Sequence, residues 1–213
     1  LYRADYREAA EYLDAHPEIT DVAIGSGLMG PWDRLALKVD TEREDLAFRL
    51  FNPERSLVWA AGTDPSIVLL TSWPDPGRTV GGLLGPGTNG SDHVTLYTPS
   101  IPADPQSMVA ETAFANGLVL AQAHWLGDGP APGEDADLLT VWRVSEPLDL
   151  PPVPIVAQPP PPETYTGPRL SVLAQLLDAD GIPLADDDGL WVDPLPLHPG
   201  DRFVQIHRLR VPY

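Results

Sequence analysis

The sequence predicts an α+β protein: a small N-terminal α/β domain over residues 1–100, then an antiparallel, jelly-roll-like β-sandwich over residues 101–213. Three observations predict it. Helical and strand periods alternate only in the first part of the chain. Beyond the 90–108 stretch, short apolar or alternating runs are each closed by turn residues. Finally, 26 prolines and 18 glycines fix many turns and leave little room for long helices.

Residues 4–15 place Tyr6, Ala9, Ala10 and Leu13 on one stripe, with Arg7, Glu8, Glu11 and Asp14 elsewhere, which predicts an amphipathic helix ended by His16-Pro17. Ile19–Ile24 reads as a buried strand, and Pro31 ahead of WDRLALKVD as a second helix with proline in its first turn. Leu46–Phe51 and Ser56–Ala60 are β-rich runs joined by the turn Asn52–Arg55, forming a hairpin, and Ser66–Ser72 is a further strand. Trp73–Gly90 reads as loop, His93–Thr98 as a strand, and the domain boundary falls within 90–108. The sandwich strands are expected at 114–125, 137–144, 170–177, 182–186 and 202–211, with Asp178-Ala179-Asp180-Gly181 and Pro199-Gly200-Asp201 among the turns. Pro151–Pro162 is an extended, polyproline-like edge loop.

Thirty-one acids against 13 Lys plus Arg give a net charge of −18, a field that repels polyphosphates and excludes a nucleic-acid partner. The absence of cysteine excludes disulfides, thiolate catalysis and Cys-based zinc sites. No apolar run approaches the roughly 20 residues of a spanning helix. The sequence begins at Leu1 with no signal-type pattern, so a segment of a longer protein is expected, with any anchor upstream.

Gly25-Ser26-Gly27-Leu28-Met29-Gly30 matches GxGxxG after a strand, where amides and a helix N-terminus could hold a pyrophosphate. Pro31 directly after the third glycine, Asn52 where a ribose-binding acid belongs, and the short α/β unit favour structural turn glycines. Gly81–Gly90 lacks the Lys-Ser/Thr pair of a P-loop, and Ser26 does not complete GxSxG. Asn89-Gly90-Ser91 fits a glycosylation sequon. The histidines at 16, 93, 124, 198 and 207 show no metal spacing, although His124 and His207 lie on strands that could face each other. No catalytic constellation and no organic cofactor are expected.

Asp178, Asp180 and Asp187, with Asp186 and Asp188 beside them, could gather oxygens around a structural calcium ion; the alternative is a solvated hairpin turn. Trp191 and Trp125 are candidates for stacking on a sugar, while Trp142 in LLTVWRV fits the core.

Tyr6–Gly62, with its helix, its DVAIGS strand and its FNPERSLVWAAG hairpin, resembles the region after the last membrane helices of bacterial GT-C type glycosyltransferases. These are the dolichyl-phosphate-mannose-protein mannosyltransferase-like enzymes of family 39. Phe114–Leu120, Pro132-Gly133, Leu139–Arg143, Leu173–Gly181 and His198–Phe203 are similar to the β-sandwich module appended to such proteins. The resemblance implies sugar transfer from a lipid-phosphate donor on the extracytoplasmic face of the membrane. It places the catalytic acids in loops between membrane helices, so no catalytic residue carries over to this chain. The expected role is a non-catalytic extracytoplasmic region that meets carbohydrate or cell-envelope acceptor, joined to the membrane through an upstream segment. The alternatives are a structural or protein-interaction module and a nucleotide-binding α/β enzyme.

Overall fold

The computed structural model describes residues 2–26, 31–61, 68–71, 76–89, 94–99, 109–150 and 170–213. In chain order the elements are α1 (Tyr2–Ala15), β1 (Asp21–Gly25), α2 (Pro31–Asp40), β2 (Ala47–Phe51), β3 (Ser56–Trp59), β4 (Val68–Thr71), α3 (Arg78–Leu84) and β5 (Thr88–Asn89). They continue as β6 (Val94–Tyr97), β7 (Thr112–Ala113), β8 (Leu118–Leu126), β9 (Asp135–Val144), β10 (Val172–Leu177), β11 (Pro183–Gly189) and β12 (Arg202–Arg210). The chain is α+β and mostly β. Among the described residues, no helix is long and apolar enough to cross a membrane.

Five strands form a mixed sheet in the order β2-β1-β4-β6-β5, with β1 parallel to both β2 and β4 and β6 antiparallel to both β4 and β5. Alternation then sorts its side chains. Val22, Ile24, Phe48, Leu50 and Val94 pack with Tyr6, Ala9 and Leu13 of α1 and Leu37 of α2. The C-terminal carbonyls of α1 need donors once the helix ends, and Arg43 supplies them, reaching Leu13 O at 3.0 Å and His16 O at 3.2 Å. The opposite face of the sheet, with Ala23 and Phe51, joins a second core.

That core belongs to an antiparallel sheet in the order β3-β12-β9-β8-β7, with the β10–β11 hairpin as a separate two-stranded unit. The strands expected at 137–144, 170–177 and 202–211 are present nearly as predicted. Register places Val58, Phe203, Trp142 and Leu120 in one row across four strands. Trp142 stacks with Phe203 at 6.2 Å between centroids and donates to Thr140 Oγ1 at 2.9 Å, which establishes its core role. His124 pairs with Leu139 and His207 with Leu138, so the two histidines project to opposite faces and do not meet as the sequence allowed.

Two further expectations are corrected. β2 and β3 are not a hairpin: β2 pairs in parallel with β1, and β3 pairs with β12. Both strands are buried on nearly every residue, so each needs a neighbour in a different layer, and the Asn52–Arg55 turn carries the chain between them. Asn52 shapes that turn by accepting the Ser56 N–H through its carbonyl at 2.8 Å and the Glu54 N–H through its side chain at 2.9 Å. Second, the stretch 73–90 is not all loop, since α3 lies within it. Gly81 and Gly82 each disfavour a helix by roughly 1 kcal/mol, but Val80 and Leu84, one turn apart, are buried in the second core and override them. At its start, Gly77 lies so close to the Glu54 carbonyl that any Cβ would collide with backbone. The expected edge loop at 151–162 lies outside the described residues.

The halves also exchange pieces. β3 completes the C-terminal sheet, and Val192 bridges to Phe51 at the edge of the N-terminal one. Where they meet, Arg49, 2 % exposed, donates from Nε and Nη2 to both oxygens of the fully buried Asp201 at 2.9 and 3.2 Å. Its Nη1 reaches Asp21 at 2.7 Å. Asp201 also accepts the N–H groups of Ala61 at 2.6 Å and His198 at 2.7 Å. Burial by itself would lower the Arg49 pKa; the bonds to Asp201 and Asp21 outweigh it and hold the guanidinium charged. Removing one partner of such a pair strands a buried charge, which costs about 3–5 kcal/mol. Arg49→Met should therefore lower the unfolding free energy by at least ~3 kcal/mol in urea. An unchanged midpoint would show that the pair does not hold the halves together.

Candidate functional site

Of the residues singled out for chemistry, Asp187, Trp191 and His207 lie where β12, β11 and the Asn52–Arg55 turn converge. β12 buries two polar side chains, Gln205 and His207, on the face that meets the hairpin. His207 Nδ1 lies 3.1 Å from the Asp187 carbonyl, and its Nε2 lies 3.3 Å from Gln205 Nε2. A carbonyl only accepts and an amide nitrogen only donates, so the ring carries its proton on Nδ1 and is neutral. Gln205 also donates to Gly189 O at 3.0 Å and accepts the Trp191 N–H at 3.1 Å. Burial pushes the His207 pKa down; the Asp187 carbonyl and charge oppose this without cancelling it.

Asp187 is bound to Arg55 through Nη2 and accepts the Arg208 N–H at 2.7 Å. Arg55 also donates to Ile206 O from Nε and Nη2, at 3.2 and 3.0 Å, and lies 4.3 Å above the Trp191 ring. One face of Trp191 is thus covered by a guanidinium, and Gly189 lies against the ring edge. Trp191 Nε1 is buried with no partner among the described residues.

The three acids considered for calcium do separate work. Asp178 Oδ1 accepts the N–H groups of Asp180 at 2.9 Å and Ile182 at 2.8 Å, closing the hairpin turn in which Gly181 takes φ +80°. Asp180 is exposed at that turn, and Asp187 lies up the strand with Arg55. Among the described residues, no group of three or more His, Cys, Asp or Glu side chains is placed to hold a metal ion. Trp125 is half-buried on β8, opposite Leu138, which in turn pairs with His207.

At the end of β1 the structure describes Gly25 and Ser26 of the glycine motif; Gly27–Gly30 lie outside the described residues. The Ser26 hydroxyl donates to Asp33 in the first turn of α2 and is 2.8 Å from the Tyr6 hydroxyl. All three side chains are buried, so this cluster ties α1, β1 and α2 together.

Sequence reading missed a cleft between α2, β2 and the segment 195–198. Arg34 and Lys38, one helical turn apart, line it with His198, Leu46, Phe48 and Leu195, around a volume of about 370 Å³. Arg34 Nη1 reaches Asp193 at 2.6 Å. The spacing of Arg34 and Lys38 was visible in DRLALK, but the facing wall is contributed from far along the chain.

No family model, no curated protein and no solved structure matches this chain.

The His207 geometry sets a pH dependence. The native pKa lies below the ordinary 6.5, so below that pH the unfolded chain takes up a proton that the native ring refuses. Stability from this group is complete above about pH 6.5 and falls as the pH drops toward the native value, by at most ~1.4 kcal/mol per pH unit. His207→Gln should flatten the decline in unfolding free energy between pH 7 and 5 relative to the unsubstituted chain. Parallel curves for the two proteins would contradict the assignment.

Proposed function

We propose that this chain is a non-catalytic, extracytoplasmic part of a membrane glycosyltransferase-like protein, serving as a rigid piece that docks against acceptor glycan or cell envelope. It would reach the membrane through an upstream segment. The observation that carries this reading is how buried charge is used. Arg49 with Asp201, Arg34 with Asp193 and Arg55 with Asp187 each join segments far apart in sequence, so these charges tie layers together instead of converging on a reacting point. The resemblance over Tyr6–Gly62 and the C-terminal strands supplies the parent family.

In this reading the antiparallel sheet and the β10–β11 hairpin form an open, jelly-roll-like sandwich. Burial of Val172 and Ala174 on the inner side of the hairpin supports that arrangement. Trp191 and Trp125 are the rings a sugar would meet. A protein-interaction module is the second reading, favoured by Leu173, Leu177, Ile182 and Leu184 on the hairpin, which are 41–59 % exposed.

Titration with cell-envelope glycans, followed by tryptophan fluorescence, tests the glycan role. Saturable binding weakened at least about fivefold by Trp191→Ala is the expected outcome, since one aromatic contact is worth about 1 kcal/mol or more. No saturable signal with any envelope glycan would remove that role.

A further inference from the structure

We propose that the cleft between α2 and the segment 195–198 is a binding site for a small carboxylate carried on a short apolar body. This stands apart from the family reading, because it uses only the walls of the cleft.

Charge is the first argument. The chain is strongly acidic and has a single lysine, Lys38, at this cleft. The Lys38 ammonium has no hydrogen-bond or ion-pair partner among the described residues. One turn earlier, Arg34 commits Nη1 to Asp193, and its remaining N–H groups are uncommitted among the described residues. His198 adds an exposed ring whose nitrogens have no partner among the described residues. Asp193 offsets one cation, which leaves about one positive charge on the cleft's own walls; Glu42 and Glu44 line the adjoining cavity that Lys38 also faces, so the site suits at most a monoanion. A phosphate monoester carries about −1.5 to −2 at neutral pH and would meet both that shortfall and the repulsion of the −18 molecule. A carboxylate fits better, and the guanidinium fork is shaped to take one.

Shape is the second argument. At about 370 Å³, the cleft lies in the size range of small-molecule sites. Phe48 is a buried floor, while Leu195, 39 % exposed, stands as a wall with little to cover it. An aliphatic or aromatic body lying on Leu46, Phe48 and Leu195 would exclude water from the polar contacts and strengthen them. The walls are held in register by the Arg34–Asp193 pair and by the Asp193 N–H donating to Leu50 O at 2.8 Å, so little ordering is required on binding. The larger cavity between α3 and β12, of about 650 Å³, balances Arg78 and Arg208 against Glu54 and Asp137 and has no such excess.

The test is amide chemical-shift mapping of the 213-residue chain with hexanoate, hexyl phosphate, hexanol and inorganic phosphate. Hexanoate should shift the signals of Lys38, Leu46 and Leu195 saturably and bind at least fivefold more tightly than hexanol or inorganic phosphate. Lys38→Met replaces an exposed side chain and should leave the fold intact while weakening hexanoate at least fivefold. Hexanol binding as tightly as hexanoate would overturn the anion requirement, and hexyl phosphate binding more tightly would overturn the choice of carboxylate. Unaltered binding to Lys38→Met, or no saturable shift at the cleft, would overturn the site.

Discussion

The pairing of Arg49 with Asp201 is the constraint around which the rest of the molecule is arranged. Arg49 projects from the face of the mixed sheet that looks toward the antiparallel one, and Asp201 sits in the turn that launches β12. A guanidinium that is 2 % exposed must have both its charge and its N–H groups answered, and only one placement of the turn does so. That placement brings β12 beside β3, and the same carboxylate holds the chain at Ala61 as it leaves β3. An apolar contact would tolerate a shift of an ångström; a two-pronged ionic bond with two extra amide donors does not.

The same logic extends along β12. A strand with Gln205 and His207 in its interior is a poor choice for hydrophobic burial alone. Each polar side chain has a stated partner, however, and the partners come from the hairpin and the segment after it. The hairpin is therefore fixed over the sheet by hydrogen bonds at defined positions as well as by Val172 and Ala174. Arg55 contributes from the other half, reaching the carboxylate of Asp187 and the ring of Trp191 together. Polar groups here determine which surface meets which, while apolar groups provide most of the driving force.

Much of this was legible in local pattern. The stripe of Tyr6, Ala9, Ala10 and Leu13, the proline opening α2 and the Asp-Gly turn of the hairpin depend on neighbours within a few residues, and each is found where periodicity and turn chemistry put it. The partner of a strand is a different kind of fact. Nothing in FNPERSLVW says that the second run leaves the first and crosses to another sheet, because that choice is made by Asp201 and Val204, far along the chain. α3 was invisible for a related reason: its glycines argue against a helix, and only the core beneath Val80 and Leu84 reverses the balance. Among the candidate site residues, the turn role of Asp178 was readable. The bond from Asp187 to Arg55 depends on tertiary placement, and of the cleft only the Arg34–Lys38 spacing was local, its facing wall coming from far along the chain.

The placement of β3 bears on how the chain can be made. Ser56 Oγ donates to the Val204 carbonyl across 148 residues, so β3 must wait for nearly the whole remaining chain before its partner exists. During synthesis, the N-terminal sheet could form while β3, which belongs to the other sheet, stands beside it with its pairing edge open. Such an edge is a target for non-native pairing, and closing so long a loop slows the step that protects it. Division near residue 100 would leave one fragment with a strand it cannot use and the other with a vacant sheet edge. Supplied together, however, the two pieces carry complementary edges that define how they should reassemble.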